Sequence, residues 1–154
     1  GWRTRATWPR WMSDPDATEP RLVLTVAAVI RDDAGRVLLV RKQGSDTFIQ
    51  PGGKREPGED ALATLARELE EELGVAMEPD TARRLGEFED AAVHETDHRV
   101  RAEVFEVAIH GQPAARAEIA ELRWVDPAAT DGTRIAPLSA RHILPRLVPG
   151  ACGA

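Results

Sequence analysis

The chain of 154 residues has no tyrosine, a single cysteine and no apolar stretch of the roughly 18 residues that a membrane-crossing helix needs. Cys152 has no partner within the chain, which excludes an internal disulfide and fits a reducing compartment, so cytoplasm is the expected location. The basic, tryptophan-bearing start lacks the apolar core of a signal peptide, and a soluble, unprocessed protein without membrane contact is expected. An excess of positive charge is missing too. Twenty basic against 26 acidic side chains leave a formal charge of −6, which excludes a general attraction to nucleic acid polymers or anionic lipid. A polyanion would need a local site with metal ions or a few aimed arginines. No internal repeat is visible, and the length suits one folding unit with a single sizeable core.

Residues 1–20 mix Arg, Pro, Asp and Thr with Trp2, Trp8 and Trp11, and show neither helical nor strand periodicity. They read as a flexible extension, with the tryptophans as the feature that could anchor it to the domain or to a partner. Residues 22–31, LVLTVAAVIR, and 36–42, RVLLVRK, flank Asp32-Asp33-Ala34-Gly35 and read as a hairpin, its first strand covered on both faces. Arg41 and Lys42 close the second strand with positive charge. Pro51, Gly52 and Gly53 then fix a tight backbone path that can approach a ligand closely. A helix is expected from Asp60 to Gly74, with Leu62, Leu65, Ala66, Leu69 and Leu73 as its buried stripe. Strands follow at 83–95 and 99–110, around a polar turn at 96–98. Val100, Ala102 and Val104 face one way in the second of them, and Arg101, Glu103, Phe105, Val107 and Ile109 the other. A short strand at 119–125 and a helix at 136–148 broken by Pro137 and Pro145 complete the domain, leaving 149–154 as a frayed tail. Together these elements predict an α+β fold of α/β/α-sandwich type, with a mixed β-sheet packed between helices.

One stretch carries the chemistry. Residues 53–75 read GKREPGEDALATLARELEEELGV, a glycine turn running into an acidic helix. Positions i, i+3 and i+4 share a helix face, so Glu68, Glu71 and Glu72 project together and repel one another by roughly 0.2–0.5 kcal/mol per pair. A charge run of this kind, taken alone, also fits a solvated acidic face. With the Pro51-Gly52-Gly53 turn upstream and Glu59 at the helix start, the cluster instead reads as a site for hard cations held against phosphate oxygens. Oxygen ligands of this type select Mg²⁺, Mn²⁺ or Ca²⁺ over zinc.

The spacing of Gly53, Glu59, Arg67-Glu68-Leu69, Glu71-Glu72 and Gly74-Val75 resembles the Nudix hydrolase signature with every defining position filled, and the chain from 21 to 148 is similar to a MutT-type Nudix domain. The resemblance implies hydrolysis of a nucleoside diphosphate linked to a moiety X, by water attack on phosphorus, with Mg²⁺ as the metal and Mn²⁺ as its alternative. It further implies Glu68 and Glu72 as the main metal ligands, Glu71 as a direct or water-mediated one, and Gly52 as the donor of a carbonyl. Arg67 would orient the carboxylates by an ion pair, and Gly53, Glu59 and Gly74 would support the loop and the helix. Glu118, six residues before Trp124, is the candidate for a further acidic ligand. Arg41, Phe48 and Gln50 lie where relatives contact substrate, and His94 and His98 could line the same pocket or be solvated. The general base stays open among Glu71, Glu72 and Glu118.

The absence of tyrosine removes a mark of diadenosine polyphosphate hydrolases. The chain also lacks the SQPWPFP-type array of NADH pyrophosphatases, and Ala91 stands roughly where many ADP-ribose pyrophosphatases have proline. The expected substrate is therefore a small nucleotide, a (d)NTP or modified NTP cleaved to a monophosphate and pyrophosphate, with a nucleotide-sugar pyrophosphatase as the alternative. A non-catalytic nucleotide-sensing module is the reading of another class, and the filled box speaks against it. A homodimer involving the tryptophan arm is compatible with the sequence but not demanded by it.

Overall fold

The computed structural model describes residues 21–93 and 97–149. The expectations for the 1–20 extension, for His94 and for the tail beyond residue 149 lie outside these residues. Among the described residues, no helix is long and apolar enough to cross a membrane.

Among the described residues, seven strands and one long helix follow the sequence in the order β1 (Arg21–Val29), β2 (Val37–Lys42), β3 (Phe48–Ile49), β4 (Gly52–Lys54), α1 (Ala61–Leu73), β5 (Ala76–Ala91), β6 (His98–His110) and β7 (Ile119–Val125). The strands divide into a mixed four-stranded sheet, β4-β1-β6-β5, and a three-stranded sheet, β3-β2-β7. Within the first, β1 runs parallel to β6 from Arg21 opposite His98 to Val29 opposite Glu106, and antiparallel to the short β4. The fold is thus the mixed α+β arrangement expected, with one correction. The hairpin foreseen for β1 and β2 survives only at its turn, where Leu38 donates to the Ile30 carbonyl and Arg31 bridges Val37. Beyond that point each strand is the centre of its own sheet. Both are buried on two faces (Val26–Ile30 and Val37–Val40 are at most 6% exposed), as suits central strands, and their long pairings are with distant β6 and β7 instead of with each other.

Two apolar layers sandwich the sheets. On one side Leu65, Leu69 and Leu73 of α1, all fully buried, pack on Val26, Ala28, Leu38, Val40 and Phe105. On the other, Ala27, Val29, Leu39, Ala102 and Val104 meet Leu138, Ile143, Leu144 and Leu147 of the C-terminal segment. The alternation along β6 is as expected, with Ala102 and Val104 in one layer and Phe105 and Val107 in the other. Helix α1 starts at Asp60, whose Oδ1 accepts from the Ala63 N–H at 2.7 Å, and stops at Gly74, which takes the left-handed conformation (φ 69°). Each fully buried leucine stabilises by about 1.5–3 kcal/mol, enough for the helix to carry an unfavourable group on the same face. That group is Glu72.

Two boundaries differ from the expectation. β5 begins at Ala76, because its register shifts between Glu78 and Arg83 and so steps over Pro79, which has no N–H for the ladder. Across the gap the Thr81 hydroxyl stands in as acceptor for the Ala108 N–H at 2.9 Å. The C-terminal helix is a π-type segment, Leu138–Ile143, followed by one α-turn, α2 (Leu144–Leu147). Pro145 brings no N–H to this stretch, and Leu144 bonds five residues back to the Ser139 carbonyl.

Asp90 fastens this C-terminal segment to β5. It is 6% exposed, its Oδ2 lies 3.0 Å from His142 Nε2, and Arg141 donates to it at 3.3 Å. Burial opposes its ionisation, but the Ala91 N–H, His142 and Arg141 outweigh that and hold its pKa below the ordinary 3.8. A depressed carboxylate stabilises above its unfolded pKa and loses that contribution as the pH falls through the folded one. Asp90→Ala is expected to cost about 2 kcal/mol. In calorimetry at pH 7 that corresponds to a Tm lower by about 4–8 °C, with the difference from wild type narrowing below about pH 4. An equal gap at pH 3 and pH 7 would refute the latch.

Candidate active site

The turn ahead of α1 brings the backbone against the acidic helix face. Gly52 has φ +145°, and a Cβ there would overlap the Val26 carbonyl oxygen. A Cβ on Gly53 would overlap the Glu68 carboxylate. Position 52 therefore requires glycine, whereas a side chain at position 53 would displace the Glu68 carboxylate from the space it occupies. The Gly52 N–H donates to Glu72 Oε1 at 3.3 Å.

Glu72 is 2% exposed, on the same helix face as Leu65 and Leu69. The sequence puts it on one face with Glu68 and Glu71, and the structure sinks it among the buried residues of the helix. Burial, and then the Glu68 carboxylate, raise its pKa from 4.5 to about 8 against the opposing Gly52 N–H. Burial raises Glu68 too; Arg67 opposes that shift and Glu71 adds to it. Two carboxylates held this way lack positive charge.

Arg67 supplies part of that charge and organises the rest. Its Nε donates to Glu59 Oε2 at 2.7 Å and its Nη2 to Glu59 Oε1 at 2.9 Å, while Nη2 also reaches the Lys54 carbonyl at 3.2 Å. Nη1 lies 3.5 Å from both Glu68 Oε2 and Glu71 Oε2. Glu59 also accepts from the Glu56 N–H and the Thr64 hydroxyl, each at 2.9 Å. Its pKa falls to about 2, chiefly through Arg67 and then the Glu56 amide, and Glu59 in turn raises that of Arg67. The fork thus ties the glycine turn, the loop before α1 and the helix face into one unit.

Glu118 precedes β7 directly, after Ala117 in the left-handed region (φ 54°). It pairs with Lys42 Nζ at 3.2 Å, and its charge is felt at both Glu68 and Glu72. With Glu68, Gly52, Gly53, Lys42 and Gln50 it lines a cavity of about 330 Å³. The structure places Arg41 and Phe48 off this wall. Arg41 is engaged by Glu121 at 3.2 Å and by the Ser45 carbonyl at 2.8 Å. Phe48 is 3% exposed in the core, with the Arg123 guanidinium 4.5 Å above its ring. A register shift between Arg41 and Lys42 separates the two basic neighbours, and Lys42 is the one on the cavity wall. Only its position beside Arg41 signalled this in the sequence. Leu138 and Ser139 of the C-terminal segment also line the cavity, without any local mark. His98 opens β6 and is not on the wall.

Among the described residues no three His, Cys, Asp or Glu side chains close into an ion site by themselves. Glu71 rests on Arg67 and Glu118 on Lys42. The donor set still suits a hard divalent cation. Glu68 and Glu72 are desolvated carboxylates with raised pKa, beside a glycine turn that keeps side chains out.

Comparison with known proteins places the chain among relatives of one family. A MutT-like protein of Streptomyces ambofaciens is 39% identical over 72 residues, 46% of this chain and 47% of that protein. An 8-oxo-dGTP diphosphatase of Haemophilus influenzae is 34% identical over 61 residues, 37% of this chain and 45% of that protein. The aligned stretches thus span about half the length of the curated relatives the chain matches. The crystal structure of a MutT protein from Methanosarcina mazei superposes with a TM-score of 0.67 at 28% identity, covering 84% of this chain and 94% of that one. Residues 21–147 match the model of the NUDIX domain, and on that match over most of its length the chain belongs to the NUDIX domain family.

Proposed function

We propose that this protein hydrolyses a pyrophosphate bond in a small nucleotide, a (d)NTP or modified NTP, giving a nucleoside monophosphate and pyrophosphate. The observation that carries this reading is the buried Glu72 carboxylate beside Glu68, both short of positive charge, with Glu68 3.5 Å from the Arg67 guanidinium that Glu59 holds. Glu68 and Glu72 would hold Mg²⁺, or Mn²⁺ in its place, with Glu71, Glu118 and the Gly52 carbonyl as further ligands. The bound ion would neutralise the diphosphate and lower the pKa of an attacking water.

The residues of the chain then act by position. Arg67 holds Glu68 and Glu71 in place through its ion pairs, and Gly53 keeps the space beside Glu68 clear. Lys42 is a cation of the cavity wall, beside Glu118, that can meet the phosphate chain once Glu118 turns from it. In the step itself the water oxygen bonds to phosphorus, the bridging P–O bond breaks, and the bridging oxygen leaves with its phosphate. The proton of the water passes to a carboxylate of the cluster, with Glu71, Glu72 and Glu118 as the candidates. That the H. influenzae relative is described as an 8-oxo-dGTP diphosphatase favours a nucleoside triphosphate.

The test is a nucleotide panel with Mg²⁺ and chromatographic separation of products. A triphosphate should yield monophosphate and pyrophosphate, EDTA should abolish turnover, and added Mg²⁺ or Mn²⁺ should restore it. Two monophosphates released from nucleotide sugars, with triphosphates untouched, would replace this reading by the sugar-nucleotide one. Binding without turnover would replace it by a sensor.

A further inference from the structure

The segment that joins β6 to β7, residues 111–118, passes from the four-stranded sheet to the three-stranded one, and it does so across the C-terminal end of α1. Its backbone is fastened there. The Ala114 N–H donates to the Leu73 carbonyl and the Arg116 N–H to the Glu72 carbonyl, each at 3.0 Å, beside the Gly74 N–H on the Glu70 carbonyl. These are carbonyls that a helix cannot satisfy within its own last turn. The Arg116 side chain lies on the same end, since a Cβ on Gly74 would stand 2.6 Å from its Nη1 and 2.9 Å from its Cδ.

The charge of Arg116 answers a need of the helix. Glu70, Glu71 and Glu72 stand in the last turn of α1, which holds no basic residue, so the helix dipole opposes the acids placed there. Arg116 brings a cation to that end from a distant part of the chain, and among the described residues no carboxylate pairs with it.

The far end of the segment is set as closely. The Ile119 N–H donates to the Arg116 carbonyl at 2.9 Å and closes a turn with Ala117 at its first central position, in the left-handed region (φ 54°). Glycine, asparagine or aspartate is the usual residue at such a position, and alanine leaves the backbone fewer alternatives than glycine would. Glu118 comes next. Its carbonyl accepts from the Gln43 N–H at 2.8 Å, and its carboxylate stands beside Lys42. Glu118 is thus two residues from a hydrogen bond made to Glu72, whose own carboxylate belongs to the site.

We propose that Arg116 and Ala117 are positioning residues, which hold Glu118 at a set distance from Glu68 and Glu72 so that the three carboxylates can meet one divalent cation. The inference rests on the hydrolase reading for the ion itself. It adds that the ligands are kept together from outside the acidic helix, by a crossing segment stapled to the carbonyl end of α1.

The experiment measures Mn²⁺ binding to the full chain by calorimetry without nucleotide, with Tm and turnover of a nucleoside triphosphate panel followed separately. The variants are Arg116→Ala, Arg116→Lys, Ala117→Gly and Glu118→Gln, together with Arg116→Ala and Ala117→Gly each combined with Glu118→Gln. Glu118→Gln should weaken Mn²⁺ binding by about tenfold, and Arg116→Ala and Ala117→Gly by about threefold to tenfold. Arg116→Lys keeps a long stem and the charge, and should bind within about twofold of wild type. Ala117→Gly should bind the ion more weakly while its Tm stays level or rises, because glycine suits the left-handed position. A merely structural role would move both the same way. In the Glu118→Gln background neither change should weaken binding further, since the carboxylate they position is gone. Wild-type affinity in Arg116→Ala or in Ala117→Gly overturns the proposal, as does a loss that persists in the Glu118→Gln background, or wild-type affinity in Glu118→Gln itself. Ala117→Gly and its double variant carry the test should Arg116→Ala fail to fold. The expected binding pattern without turnover overturns the hydrolase reading and leaves the positioning role, whereas no Mn²⁺ binding to wild type overturns both.

Discussion

Glu72→Gln is expected to lower kcat by about a thousandfold or more and, in the absence of metal, to raise the stability of the protein. The two effects have one origin. Glu72 is 2% exposed, and burial followed by the Glu68 charge pushes its pKa from 4.5 to about 8. The folded protein therefore keeps a proton that the unfolded chain has already released. Between about pH 4.5 and 8 the unfolded state binds fewer protons than the native one, so stability falls as the pH rises through that window and levels off above it. Glutamine is close in shape, can still accept from the Gly52 N–H, and does not titrate. Its gain over wild type should be near zero at pH 4 and on the order of 1–3 kcal/mol at pH 8.5 in EDTA, read as a Tm difference that grows with pH. Saturating Mg²⁺ should reverse the order, because the cation stabilises only the protein that can bind it. Unchanged turnover would remove Glu72 from the metal site. A pH-independent Tm difference would mean that its carboxylate is not desolvated.

The same helix shows what could be read from sequence and what could not. Glu68, Glu71 and Glu72 share a face because helical spacing alone puts them there, and Asp60 and Gly74 bound α1 where their capping chemistry predicts. These are local rules. The depth of Glu72 depends on how far α1 settles onto Val26, Ala28 and Val40, which is a property of the packed layers. The pairing of β1 with β6 joins residues 77 positions apart at Arg21 and His98, and no local pattern encodes it, so the two central strands read as an ordinary hairpin. The make-up of the cavity wall is hidden from the sequence for a related reason. Arg41, Phe48 and Gln50 are close in sequence, yet the register shift after Arg41 and the pairing of Arg41 with Phe48 in the second sheet take two of them out of the cavity and leave Gln50 in it. Leu138 and Ser139 reach the wall from the far end of the chain, where they open the C-terminal helical segment.

Arg67→Lys is expected to reduce kcat/KM by about 10- to 100-fold and to lower Tm by several degrees, although the charge is kept. The planar fork makes two bonds to Glu59, one to the Lys54 carbonyl and two longer ion pairs to Glu68 and Glu71. An ammonium at the end of a flexible chain cannot span these four partners. If it stays with Glu59, whose carboxylate has the strongest claim on it, Glu68 and Glu71 lose the cation that holds them beside the turn. The cluster should then bind metal more weakly, so a large part of the lost rate should return as Mg²⁺ is raised, with the concentration for half-maximal activity increased about tenfold. Arg67 acts here as a positioning residue, and this partial rescue separates it from a group that touches the reacting atoms. Glu59→Gln provides the control from the other side. It can still accept from the Glu56 N–H but weakens the hold on Arg67, so it should shift the Mg²⁺ requirement in the same direction and by less. A lysine variant with wild-type activity at low Mg²⁺ would show that charge at position 67 suffices, and the fork geometry would then have no part in assembling the site.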